Sequence, residues 1–112
     1  MATVHNLEVS PFQSGSAYRY LTSEDAIPTT QDACDDPAPI ARVKLFDPGS
    51  SWTWYIAGYD PETRVAWGLV DGLEQEYGSV DMAELVAIRS RFGLPIERDL
   101  YWQPRPLTEC LR

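Results

Sequence analysis

Between residues 43 and 80 the chain is a series of short apolar and aromatic runs, each stopped by a tight turn, and that spacing constrains the fold more than any other feature. Val43, Leu45 and Phe46 end at Asp47-Pro48-Gly49, where proline presets φ and glycine accepts the strained position. Residues 51–59 (SWTWYIAGY) are dense in aromatic and β-branched side chains. Alternation puts Trp52, Trp54 and Ile56 on one face of that run and Thr53, Tyr55 and Ala57 on the other. Asp60-Pro61-Glu62-Thr63 makes the next turn, residues 64–70 (RVAWGLV) return, Asp71-Gly72 closes the pair, and residues 76–80 form a further short strand. A parallel crossover needs a dozen or more residues, and none of these connections has them. The run therefore reads as an antiparallel meander of about four strands.

One helix is signalled over about residues 82–92. Asp81 can cap it, with Glu84 completing a reciprocal cap. Met82, Leu85, Val86, Ile88 and Phe92 keep helical spacing, and Gly93 supplies a left-handed stop. Residues 96–102 (IERDLYW) alternate and read as a last strand. Residues 1–41 differ: Pro11, Pro28, Pro37 and Pro39 interrupt them, and six acids face a single base, Arg19. They read as an acidic, Pro-rich, loosely ordered arm, tied down by a short strand at Tyr18 and Tyr20. The expected fold class is α+β: a small antiparallel meander of four to five strands with one packed helix, in a single domain over residues 42–112, and the arm laid across it.

Across 112 residues, seventeen acids face nine bases, for a net charge of −8. Such a field repels phosphate backbones and attracts basic surfaces, which disfavours direct nucleic-acid binding and favours a basic protein partner. No apolar run is long enough to span a bilayer, and no basic stretch followed by an apolar one opens the chain. A cytoplasmic location is the expectation. Cys34 and Cys110 match no zinc, redox or disulfide spacing, and His5, the only histidine, has no partner spacing for a metal or a triad. Neither metal nor cofactor is expected, and no motif for enzymatic chemistry is present.

Two constellations stand out. Asp71, Glu74, Glu76, Asp81 and Glu84 are five acids with no base among them, running from a hairpin end into a helix start. Turn and cap duties account for Asp71, Asp81 and Glu84 and leave Glu74 and Glu76 as candidates for partner contact. Asp32, Asp35 and Asp36 form a second patch on the arm. The other constellation is Glu97-Arg98-Asp99, where alternation places Arg98 on the apolar side, expected to be buried against a carboxylate. Trp52 and Trp54, with Glu97 and Asp99, offer an aromatic cleft as the alternative site, although core packing explains tryptophans as well.

The segments VKLFDPGSSWTWY (43–55), WGLVDGLEQEYGSV (67–80) and MAELVAIRSRFGLPIERDLYW (82–102) resemble a domain-of-unknown-function family of short proteins from bacterial plasmids, integrative elements and phages. The first 39 residues do not share the pattern, being Pro-rich where relatives look helical. The resemblance implies a setting and not a reaction. The leading expectation is a non-enzymatic interaction protein of a mobile genetic element, an acidic anti-defence inhibitor (anti-CRISPR or anti-restriction) presenting carboxylates where its target expects phosphates. The alternative is a small-ligand or accessory binding module using the aromatic cleft.

Overall fold

The computed structural model describes residues 4–90 and 92–112. The chain runs β1 (Asn6–Val9), β2 (Arg19–Thr22), α1 (Thr30–Asp35), β3 (Ile40–Ala41), β4 (Val43–Phe46), β5 (Thr53–Asp60), β6 (Val65–Asp71), β7 (Gln75–Asp81), α2 (Met82–Leu85), β8 (Glu97–Arg98) and β9 (Arg105–Pro106), with short 3₁₀ turns beside them. The fold is α+β, centred on a five-stranded antiparallel sheet in the order β7-β6-β5-β4-β8. The four meander strands are consecutive neighbours, as their short turns require. After α2 the chain crosses to the far edge, where β8 pairs with β4.

Cross-strand register assigns the two faces. One row runs Leu45, Trp54, Val70, Glu76, and the adjacent row on the opposite face runs Lys44, Tyr55, Leu69, Tyr77. On the first face Val43, Leu45, Trp54, Ile56, Ala66 and Val80 pack with Tyr20, Leu21, Met82, Leu85, Val86 and Ile96. On the second, Ala57 and Leu69 pack with Ala33, Ala41 and Leu107, flanked by Tyr55, Trp67 and Trp102. Both faces of the sheet are therefore covered, which explains why the central strands carry apolar residues at odd and even positions alike.

The first 41 residues are not the loose arm that their composition suggests. β1 and β2 form a hairpin that delivers Tyr20 and Leu21 into the core with no exposed surface. The Tyr20 hydroxyl donates to the Ile96 carbonyl at 2.6 Å. Two of the arm's acids are buried partners of arginines, Arg64 in the turn before β6 and Arg98 on β8. Glu8 is held by the Arg64 guanidinium at 2.7 and 3.0 Å and by the Tyr59 hydroxyl, and Asp25 by Arg98 at 2.6 and 2.8 Å. A carboxylate satisfied in this way is stable inside, so a count of acids overstates how solvated the segment is. The pairing expected of Arg98 is present. Arg64, in the exposed turn before β6, clamps Glu8 from a left-handed position (φ 59°).

A helix the sequence did not signal, α1, lies on the second face. Thr29 accepts the Asp32 N–H to cap it, and Thr30 bonds to Asp60 on β5 at 2.5 and 3.1 Å. It sits close because Gly58 lies beneath it: a β-carbon there would be 2.9 Å from both the Ala33 side chain and the Thr30 backbone. The helix expected over residues 82–92 shortens to Met82–Leu85, followed by turns to Ile88 and a bridge between Arg89 and Pro95. β-branched Val86 and Ile88 disfavour continuation. Ser90 then takes the N–H groups of Phe92 and Leu94 on its own hydroxyl, an alternative to the helical ladder. The expected last strand likewise contracts to Glu97–Arg98, because Asp99 turns the chain, accepting the N–H groups of Tyr101 and Trp102 on its side chain and carbonyl respectively.

Candidate functional site

At the β6–β7 end of the sheet the turn at residues 71–75 and the start of α2 bring carboxylates around two shallow depressions that meet at Val70. One is lined by Trp52, Val70, Leu73, Glu74 and Glu76. The other is lined by Trp54, Val70, Val80, Asp81, Glu84, Leu85 and Ile88. Their volumes are about 330 and 230 Å³, at or below the lower end of pockets that enclose a drug-sized ligand. The floor is aromatic. Trp52 and Trp54 lie 6.1 Å apart with their rings tilted by 30°, Trp54 buried and Trp52 39% exposed. Gly72 provides the seat for Trp52, since a β-carbon there would fall 2.4 Å from the indole ring.

Four of the five acids of the first constellation thus share one groove, and they share it with the two tryptophans that had been assigned to a separate cleft. Glu74 sits in the turn and Glu76 opposite Val70 on the sheet face, both exposed. Asp81 caps α2 by accepting the N–H groups of Ala83 and Glu84 at 2.9 and 3.4 Å. The Glu84 carboxylate is exposed and makes no return bond to Asp81. Among the described residues Glu74, Glu76 and Glu84 have no cationic partner. Asp71 departs from the group: it faces the opposite side of the sheet, ion-pairs with Arg112 at 2.9 Å and accepts from Gln75.

The remaining candidates lie apart from this groove. Asp32 and Asp35 are exposed on α1 and Asp36 follows it, on the opposite layer; Asp35 accepts from Gln31 and Asp36 from the Ala38 N–H. Glu97 pairs with Phe46 at the β8 edge, and Asp99 lies 3.8 Å from Lys44, so neither lines the tryptophan groove. His5 is exposed beside β1. Sequence reasoning missed the apolar walls. Leu73 is 90% exposed at the turn and Ile88 stands beyond α2. A second hollow on the opposite face is lined by Trp67, Tyr77, Pro37, Pro39, Pro106 and Leu107, with Trp67 and Tyr77 stacked at 6.2 Å. An exposed leucine within a turn was the one legible signal for this surface.

The segments that build both the groove and its supporting layers coincide with a known family, the proteins of unknown function grouped as DUF2958, whose model matches residues 17–111. The chain belongs to that family. The match takes in β2 and α1, so the family pattern reaches well into the segment that the sequence motifs had left outside it. No curated protein and no solved structure matches the chain. Among the described residues no helix is long and apolar enough to cross a membrane, and no three His, Cys, Asp or Glu side chains are grouped as metal ligands.

Proposed function

We propose that this DUF2958 protein is a non-enzymatic interaction module that binds a basic surface of a partner protein through the groove of Glu74, Glu76, Asp81 and Glu84. The observation that carries the reading is that three of these carboxylates are exposed, without a cation, around an aromatic floor. Exposed carboxylates without a cation leave a negative potential along this side of the sheet, which an arriving cationic surface neutralises. Trp52 adds an apolar, stackable surface for an arginine guanidinium or a lysine stem. The groove's shallowness favours a protein surface over the enclosed small-ligand cleft of the alternative reading.

Carboxylates along a strand and helix start compete for the Lys and Arg groups that a nucleic-acid-binding protein uses on phosphates. Together with the mobile-element setting that the sequence resemblance implies, this makes a host defence complex, anti-CRISPR or anti-restriction in the protein's sense, the class of target in the cytoplasm. The test compares the protein with a Glu74→Gln, Glu76→Gln, Glu84→Gln variant as bait in host lysate at two salt concentrations. A nucleic-acid-binding protein held at low salt, released by added duplex and not held by the variant is the expected result. Equal recovery by both baits refutes the groove as the interface.

A further inference from the structure

The outer edge of β7 is open. β7 ends the five-stranded sheet and has β6 on one side only. The Gly72 N–H bonds the Glu74 carbonyl and the Met82 N–H the Arg64 carbonyl. In an antiparallel ladder bonded pairs recur every second residue, so Glu76, Gly78 and Val80 bond toward β6. The N–H and C=O groups of Tyr77 and Ser79 therefore point away from the sheet. Among the described residues nothing bonds to them. A seven-residue edge without a backbone partner is a template for another strand.

We infer that β7 accepts an extended basic segment of the partner protein as an added strand. This rests on the reading of the groove above and states how the partner enters it. Successive side chains of an added strand fall to opposite faces of the sheet. On one face they meet Glu76 and, beyond the end of β7, Glu84; on the other they meet Tyr77, whose ring stacks on Trp67. Gly78 leaves room between them, since a β-carbon built there touches nothing within 4 Å. Basic side chains suit the first face and apolar ones the second. A second copy of the chain does not suit this edge, because two β7 strands would bring both sets of carboxylates together on proteins of net charge −8. The same acids thus oppose self-pairing and select a cationic strand.

The probe is an end-blocked peptide of about eight residues alternating lysine and valine, long enough to match β7. Its partner probe alternates lysine and proline, which keeps charge and length and removes half of the backbone donors. Binding is followed by fluorescence anisotropy, and amide exchange is read residue by residue by NMR. The lysine–valine peptide is expected to bind at least about tenfold more tightly than the lysine–proline peptide, the equivalent of one or two net hydrogen bonds. It should also slow exchange at the Tyr77 and Ser79 amides. Equal binding of the two peptides, or binding that leaves those two amides unprotected, overturns strand addition while the acidic groove stands. Binding by neither peptide at low salt overturns strand addition together with the reading it rests on.

Discussion

Replacing Arg98 by alanine tests how the N-terminal segment is held to the sheet. Its guanidinium gives two charge-assisted hydrogen bonds to Asp25 and a third, at 3.3 Å, to the Tyr20 carbonyl. The side chains are only 20% and 8% exposed, so water screens the pair weakly. In Arg98→Ala the Asp25 carboxylate keeps only its bonds from Thr22. Stranding a buried charge costs about 3–5 kcal/mol, a large part of the roughly 5–15 kcal/mol that stabilises a domain. At about 4 °C per kcal/mol for a chain of this length, Tm should fall by roughly 12–20 °C. The control is Arg112→Ala, which breaks the pair with Asp71 at 2.9 Å; there the Arg112 side chain is 60% exposed, and the loss should stay below about 1 kcal/mol. Removing Asp25 as well should cost less than the sum of the single losses, with a coupling of about 1–3 kcal/mol. The assay is urea and thermal unfolding of the parent protein, the Arg98, Asp25 and Arg112 single variants and the Arg98–Asp25 double variant. If Arg98→Ala is no less stable than Arg112→Ala, Asp25 is solvated and the β1–β2 hairpin is held by something other than this pair.

Stability should fall in alkali. Burial raises the phenol pKa of Tyr20 and Tyr55, and burial followed by the Glu8 carboxylate raises that of Tyr59, all from an ordinary 10.0. A raised folded-state pKa means that the unfolded chain loses its protons first, so the contribution is complete below about pH 10 and declines as pH climbs above it; Tm should drop there, and a flat profile refutes the burial of these phenols. The two thiols should react in order with an aromatic disulfide reagent, exposed Cys34 first and half-buried Cys110, whose pKa burial raises, later; equal rates would place Cys110 at the surface. Gly72→Ala should lift Trp52 from its seat at modest cost, about 1–2 kcal/mol, and raise acrylamide quenching of tryptophan fluorescence; unchanged quenching would mean that the turn moves instead.

The strands were legible because strand and turn chemistry is local. Pro48, Gly49, Pro61 and Gly72 mark chain reversals wherever the rest of the protein lies, and the short connections between them leave antiparallel neighbours as the only pairing. Helix length was less legible, since the 3.6-residue pattern after Asp81 also suits an irregular segment over the same core. There the Ser90 hydroxyl decided the outcome by competing for backbone donors. For Arg98, alternation revealed burial but not the partner, which lies 73 residues away.

The sequence by itself determined the antiparallel meander, the α+β class and the acidic excess. Only the tertiary structure decided which acids are available. Glu8 and Asp25 are drawn inside by arginines 56 and 73 residues distant, and Asp71 is neutralised by Arg112 on the opposite face. Among the described residues Glu74 and Glu76, beside Trp52 at the turn end of β7, and Glu84, beside Trp54 at its other end, have no cation within reach. The physical reason is range. Turn and strand propensities act over a few bonds and can be read along the chain, whereas burial and charge pairing depend on distances through space that the folded sheet alone sets.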